Sequence, residues 1–474
     1  MEIKMFKKLD YRDLIIFLFG FAIFMYFLYV FNPGILTFDS YHQLHQIADS
    51  TFSNWHPFFH TFIEMLCLKV YADPKAICIF QILTFSTIWT IICKYHRKDD
   101  VKSKNFILQV VITLIISLIP INALYSITLW KDILFSYFLL LVCFLIEVLI
   151  DRDMKVGYVF CIILSLAMAF VAQLRPNGLI VILMLLAIFS VYLFKKNKDK
   201  KLHILIPALT IIFILLISSL NVVYEVKDTQ KDAVFDKTTH ILSFYDLNVN
   251  MSHEDRQKVH QMVSKKDIKE HFDIYFTDPI FKVSNESVFD ADKGSYIKLV
   301  IKYSLKNPFK FIEYVFQSSN IVFDITRDSD WTGPVYLIDL EPEWDRFYDM
   351  FNQKPLANYD NATSKHIGRG DFDNLMSYAD YFSHNLVLDT LFDSPAFYMY
   401  ISFILLGFLY VVTRSKAVFL IYLPNLLNIV TVVISTPYQG NRYLYSNLLV
   451  FYLLLIILVK LWSDGKFKDF RIKQ

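Results

Sequence analysis

The sequence predicts an α-helical polytopic membrane protein with an extracytoplasmic, α-rich mixed domain. Three observations carry that prediction. The 474 residues are 55% hydrophobic and 17% aromatic, with a mean hydropathy of +0.40. Apolar runs of about 17–21 residues, enough to cross a bilayer, recur along the chain. Lys/Arg-rich pieces separate them in alternation, as the positive-inside rule expects.

In chain order the apolar runs cover residues 14–31, 76–93, 106–123, 133–150, 156–173, 178–194, 202–222, 396–413, 417–436 and 444–462. With ten spans, every basic piece falls on one side: Lys4 to Arg12, residues 94–104, Arg152 with Lys155, residues 195–201, Arg414 with Lys416, and residues 460–473. Both termini are then cytoplasmic in a multi-pass cell-membrane protein. Residues 56–71 are apolar but carry His60, Glu64 and Lys69. As a span they would move residues 94–104 outside and invert every later loop, so they read as a re-entrant or juxtamembrane helix (57–72). The chain thus divides into an N-terminal membrane module (1–223), an extracytoplasmic domain (224–395) and a C-terminal membrane module with a cytoplasmic tail (396–474).

All five cysteines lie in apolar segments, which argues against a disulfide framework or a zinc site. The long first apolar run lacks a small-residue cleavage site, so no cleavable signal peptide is expected. The net charge of +2 gives no reason to expect a nucleic-acid partner. Within 224–395, residues 255–272 read as a charged helix. Residues 296–323, interrupted at Asn307-Pro308, carry apolar positions at helical spacing beside Lys298, Lys302, Lys306 and Lys310, a pattern suited to a membrane face. The stretches around Trp331 and Gly368 are turn-rich. The glycosylation sequons at Asn250, Asn285 and Asn361 carry no weight.

The first outer loop, 32–57, holds Asp39, Ser40, Gln43, Asn54, Trp55 and His56 between two apolar runs. Ionisable groups at a membrane surface are costly and rarely idle. Further outward turns bring Lys131-Asp132, Arg175-Pro176-Asn177 and Gln439-Gly440-Asn441-Arg442-Tyr443 to the same expected depth. A carboxylate is suited to draw a proton from a hydroxyl, and Lys and Arg to hold a phosphate leaving group. That combination fits glycosyl transfer from a lipid-linked sugar phosphate. Each residue also has a plainer reading. Asp39 caps a helix, His56 precedes a helix-starting Pro57, and Lys131 snorkels beside Trp130 with Asp132 as its ion partner. Arg175 and Arg442 have no such explanation, because the charge rule places no cation on an outward turn.

Pro33-Gly34, Phe38-Asp39-Ser40, Gln43 and Asn54-Trp55-His56-Pro57 resemble the first outer loop of bacterial GT-C-type integral-membrane glycosyltransferases. Lys131-Asp132, Arg175-Pro176-Asn177-Gly178 and Arg442-Tyr443 resemble that family in the same order. The resemblance implies a GT-C-like fold, a polyprenyl-phosphate sugar as donor, and an extracytoplasmic glycan, lipid or protein as acceptor, in cell-envelope polysaccharide biosynthesis. It implies inverting transfer with Asp39 as base, and Lys131, Arg175 and Arg442 as donor-phosphate contacts. His56, Asp132, Asn177, Gln439 and Tyr443 join the substrate-binding set, and Ser40, Gln43, Asn54 and Trp55 support the loop. Asp39 and Asp132 stand singly where other members carry an acidic pair. No metal ligand is therefore assigned, and a divalent cation (Mg or Mn) stays open as a cofactor. The competing readings are a polysaccharide polymerase or ligase, a glycolipid flippase or transporter, and a membrane-anchored receptor.

Overall fold

The computed structural model describes residues 9–97, 104–196, 202–228, 232–325, 386–392 and 394–465. The basic clusters at 4–8, 98–103, 197–201 and 466–473, the stretches around Trp331 and Gly368, and the Asn361 sequon lie outside the described residues.

Helices dominate. The first half runs α1 (Tyr11–Val30), α2 (Phe38–Asp49), α3 (Phe58–Val70), α4 (Lys75–His96), α5 (Lys104–Leu118), α6 (Pro120–Ser126), α7 (Lys131–Asp151), α8 (Tyr158–Leu174), α9 (Pro176–Lys196) and α10 (Leu202–Val223). Seven shorter helices follow: α11 (Asp232–Asn248), α12 (His253–Met262), α13 (Lys265–His271), α14 (Asp278–Val283), α15 (Glu286–Ala291), α16 (Lys293–Lys306) and α17 (Pro308–Ser318). After α18 (Leu386–Phe392), the chain closes with α19 (Pro395–Thr413), α20 (Val418–Ser435) and α21 (Tyr445–Ser463).

Eight helices among the described residues are long and apolar enough to cross a membrane, which makes this a multi-pass helical membrane protein. The other two apolar runs differ from simple spans. Residues 106–123 form a pair, α5 and α6, bent by 71° where Pro120 opens the second helix. Residues 156–173 form α8, only 17 residues long. Helix α3 has 13 residues, about 20 Å at 1.5 Å each, too short to cross. One face of it is buried, with His60, Thr61 and Glu64 covered by its packing against α4, α8 and α10, while Leu66 and Val70 on it are exposed.

Helix α7 is the axis of the bundle: most of its side chains are buried, whereas the peripheral α10 buries few. Around it pack α4, α8, α20 and α21. Lipid tails are as apolar as leucine, so packing and polar contacts must hold spans together. Such contacts join α19, α20 and α21. Asn425 Nδ2 donates to Asn447 Oδ1 at 2.9 Å, Ser446 Oγ to Asn425 Oδ1 at 2.6 Å, and Asn447 Nδ2 to the Pro395 carbonyl at 3.1 Å. Each is worth about 0.6 kcal/mol on average inside a membrane. At one end of the bundle Arg97 pairs with Asp13 and His96 with Glu147, tying α4 to α1 and α7.

A second, smaller core forms from α11–α17 around Leu242, Tyr245, Met262, Ile268, Ile280, Phe289, Tyr303 and Tyr314. The charged helix expected over 255–272 is broken in two. Ser264 accepts a hydrogen bond from the Asp267 amide and caps a new helix, α13, so the break is set by capping chemistry. The interruption at Asn307-Pro308 separates α16 from α17, with Pro308 in the first turn where its missing N–H costs nothing.

Candidate functional site

The site begins with a splice between two loops. Ile35 N donates to the Ile127 carbonyl at 2.8 Å, and Leu129 N donates to the Ile35 carbonyl at 3.1 Å. Ser40 Oγ donates to the Leu129 carbonyl at 2.9 Å and accepts from the Thr37 amide at 3.0 Å. Trp130 Nε1 donates to Thr37 Oγ1 at 2.6 Å. This lacing runs beside Gly34, whose φ of +122° suits only glycine and whose Cβ would strike Cys78 Sγ. Its result is to set the first turn of α2, with Asp39, against the first turn of α7, with Lys131 and Asp132.

From the far end of the chain, the turn before α21 adds Arg442. Its Nη1 donates to Asp39 Oδ2 at 2.8 Å, and Lys131 Nζ stands 3.7 Å from the same oxygen. Burial pushes the Asp39 carboxyl up, but Arg442 and Lys131 outweigh it and hold the group well below the usual carboxylate range. Asp39 nevertheless keeps 24% of its side chain exposed. One shelf deeper, fully buried Asp132 lies 3.1 Å from Arg175 Nε and 3.8 Å from Arg442 Nε. Neither Asp132 oxygen forms a hydrogen bond in that geometry, so the attraction is purely one of charge.

The arginines are held by aromatic faces. Arg442 lies 4.7 Å from the Trp130 ring centre and 5.3 Å from that of Tyr443. Arg175 lies 4.7 Å from the Tyr443 ring and 5.4 Å from that of Phe135, and its Nη1 donates to the Tyr443 carbonyl at 3.0 Å. Cation–π contact of this kind fixes a guanidinium without neutralising it. Asp39 and Asp132 thus face Lys131, Arg175 and Arg442, which leaves the cluster one positive charge in excess.

His56 is neutral. Burial first, then Lys131, pushes it down to about 2, and its Nδ1 stands 2.9 Å from Lys131 Nζ, which donates to it. It therefore orients Lys131 and offers no second cation. Gln43 bridges α2 to α3, with Nε2 3.0 Å from His60 Nδ1 and 2.9 Å from Thr61 Oγ1. Asn54 Nδ2 donates to Asp228 Oδ1 at 3.0 Å, and Trp55 is half exposed.

The structure thus brings Asp39, His56, Lys131, Asp132, Arg175, Arg442 and Tyr443 together. It does not bring all the other residues singled out in the sequence to the cations. Asn177 Nδ2 donates to Ser435 Oγ at 2.7 Å, joining α9 to the end of α20. Gln439 is buried, donating to the Ser318 carbonyl at 2.6 Å and accepting from the Ile321 amide at 2.8 Å, and so latches α17 to the turn that carries Arg442.

Sequence reasoning missed the aromatic cage of Trp130 and Phe135 and the true partners of Asp132. It also missed Asp278 at the start of α14. The Thr277 amide donates to the Pro437 carbonyl at 3.0 Å, and Phe276 packs on Tyr438 with ring centres 5.5 Å apart. Asp278 is brought near enough that Asp39 adds to the burial that raises its carboxyl. The only available signal was a carboxylate at a helix start in a polar domain, which is too common to single out. Among the described residues no group of three or more His, Cys, Asp and Glu side chains could hold a metal ion.

Set beside known proteins, the chain matches no family model, no curated protein and no solved structure.

Proposed function

We propose that the chain is an integral-membrane glycosyltransferase that takes a sugar from a polyprenyl-phosphate donor and passes it to an extracytoplasmic hydroxyl acceptor. The observation that supports this reading is the convergence of Asp39 with Lys131, Arg175 and Arg442 at one end of a membrane bundle. The positive-inside rule, applied to the basic pieces between the spans in the sequence, supports taking that end as extracytoplasmic and both termini as cytoplasmic.

The acceptor oxygen attacks the anomeric carbon while the carbon–oxygen bond to the lipid phosphate breaks. The acceptor proton passes to Asp39, and the departing phosphate keeps the bonding electron pair. Lys131, Arg175 and Arg442 stabilise the charge that grows on that phosphate. Before substrate binds, Asp39 and Asp132 occupy these cations. An incoming phosphate shares Arg442 and Lys131, weakens their pull on Asp39, and makes its carboxylate a stronger base. Donor binding thereby activates the base.

The test is Asp39→Asn in purified full-length protein supplied with polyprenyl-phosphate sugars. Transfer is expected to vanish while the melting profile and span insertion persist. An Asp39→Asn protein that transfers sugar at the full rate would end the proposal.

A further inference from the structure

The helical hairpin of α16 and α17 presents its apolar residues to the outside. Leu305 is 77% exposed and Phe309 84%, with Ile301, Ile312 and Phe316 about half exposed. Positions 309, 312 and 316 make one stripe on α17, and 301 and 305 make another on α16. The opposite faces bury Tyr296, Leu299 and Tyr303 on α16 and Tyr314 on α17 in the domain core. These stripes are thus surplus to the fold, an arrangement that soluble surfaces avoid.

Charge says what covers them. Between residues 298 and 317 stand Lys298, Lys302, Lys306 and Lys310 against the single carboxylate Glu313. Lys302 is held by Asp255 and Lys310 by Glu313, while Lys298 and Lys306 make no ion pair among the described residues. A protein interface depletes lysine at its core, whereas a leaflet favours it, because a long basic side chain reaches the headgroups while its neighbours enter the acyl boundary.

Continuity says where it lies. The foot of α17 is fixed to the bundle: the Ser318 carbonyl accepts from Gln439, Ile321 and Val322 are buried, and Phe316 packs 4.7 Å from Phe323. Tyr400, in the membrane-length helix α19, donates to the Phe323 carbonyl at 3.2 Å. Helix α17 therefore starts from the bundle at the end of the spans, and its 11 residues extend about 16 Å from that foot.

We propose that the α16–α17 hairpin is a membrane-docking element that seats Leu305, Phe309, Ile312 and Phe316 in the phospholipid leaflet at the Asp39 end and engages its anionic headgroups through Lys298 and Lys306. This inference rests on the membrane bundle and not on the proposed chemistry. Docking ties the small domain to the lipid surface and adds to the links that Thr277 and Ser318 make to the turn that carries Arg442.

The experiment uses the full chain in lipid nanodiscs, with an environment-sensitive fluorophore on Phe309→Cys or, separately, Leu305→Cys, and a Val283→Cys control on α14. The probes are brominated phosphatidylcholine, with or without phosphatidylglycerol, and aqueous iodide. The expected result is several-fold stronger bromolipid quenching at 309 and 305 than at 283. It should rise with phosphatidylglycerol and fall in Lys298→Glu/Lys306→Glu. Iodide quenching at 309 and 305 with no bromolipid quenching in either lipid would overturn the proposal. So would protection that appears only as protein concentration rises, which would make the face a contact between two copies.

Discussion

Arg442 Nη1 lies 2.8 Å from Asp39 Oδ2, although the two residues stand 403 positions apart. The contact joins the first loop to the last turn and closes the cluster from both ends of the chain. It also sets the charge of the site, since Arg442 touches Asp132 as well and so links the two carboxylates. A guanidinium is suited to this because its charge and donors are spread over three nitrogens in a rigid plane, so Nη1 faces Asp39 while Nε faces Asp132, whereas an ammonium has a single nitrogen on a flexible stem.

Arg442→Gln is expected to lower glycosyl transfer by roughly two orders of magnitude, the usual scale for losing one electrostatic contact to a developing anion. Arg442→Lys should recover only part of that loss, because a lysine cannot serve Asp39 and Asp132 together. Initial rates with saturating donor check this. Equal rates for Lys and Arg at position 442 would show that only net charge matters.

Asp132 is fully buried beside two arginines, so removing its charge leaves Arg175 with a single aromatic cage and no counter-ion. Breaking one side of a buried pair costs about 3–5 kcal/mol. Asp132→Asn is therefore expected to lower the melting temperature markedly. Asp132→Asn with Arg175→Met should recover much of the stability, yet remain inactive. Thermal melts of the single and double variants decide it, and strictly additive losses would dismiss the coupling.

Gly178 follows the Arg175-Pro176-Asn177 turn, where α8 gives way to α9. A Cβ at this position would sit on the Val171 carbonyl. That backbone atom belongs to a buried helix and has nowhere to move. Gly178→Ala should therefore destabilise by at least the roughly 1–3 kcal/mol of an overpacked core, and displace Arg175 as well. Gly407→Ala, which meets nothing within 4 Å, serves as the matched control and should melt like the parent.

Acid should weaken the fold as pH drops through the histidine range. Burial pushes His240 down to about 3, and burial with Lys131 pushes His56 to about 2. Both are neutral in the folded chain and become charged below about 6.5 when it unfolds, so stability falls as pH drops through 6.5. At pH 5 each costs roughly 2 kcal/mol relative to neutral pH. Asp236 acts in the opposite sense. Burial raises it to about 6, so acid relieves the cost of ionising it, and these three groups together leave a loss of roughly 2–3 kcal/mol between pH 7 and pH 5. Melting curves across that window check the sign, and His240→Gln should flatten the slope.

The helical, multi-pass architecture was legible because a 20-residue apolar run has few other uses, and the eight long helices fall on runs readable from the sequence. Their shape was less legible. The bend at Pro120 and the shortness of α8 depend on what packs beside them. The grouping of Asp39, Lys131, Arg175 and Arg442 rested on ionisable residues at the mouths of spans, a rule about depth that needs no contacts. Partner choice within the group was not legible. Asp132 neighbours Lys131 in sequence, yet successive positions on a helix face different ways, so it meets Arg175 and Arg442 instead. Likewise Gln439 looked like a ligand beside Arg442, and only the fold reveals that both ends of its amide are already used.

That amide yields a last expected outcome. Gln439 gives its Nε2 to the Ser318 carbonyl and its Oε1 to the Ile321 amide, both in buried surroundings. Removing it leaves a donor and an acceptor without partners, each costing about 1–3 kcal/mol. The strain falls on the segment that connects the small helical domain to the bundle. The Thr277 amide still donates to the Pro437 carbonyl and Lys237 Nζ to the Thr436 carbonyl nearby, so the domain should loosen and not detach. Gln439→Ala is thus expected to speed amide hydrogen exchange at 318–323 and 436–442 while leaving α7 protected. If Gln439 instead holds substrate alone, exchange in the empty protein will not change, and only turnover will fall. The two outcomes separate a latch from a ligand at a residue one turn from Arg442.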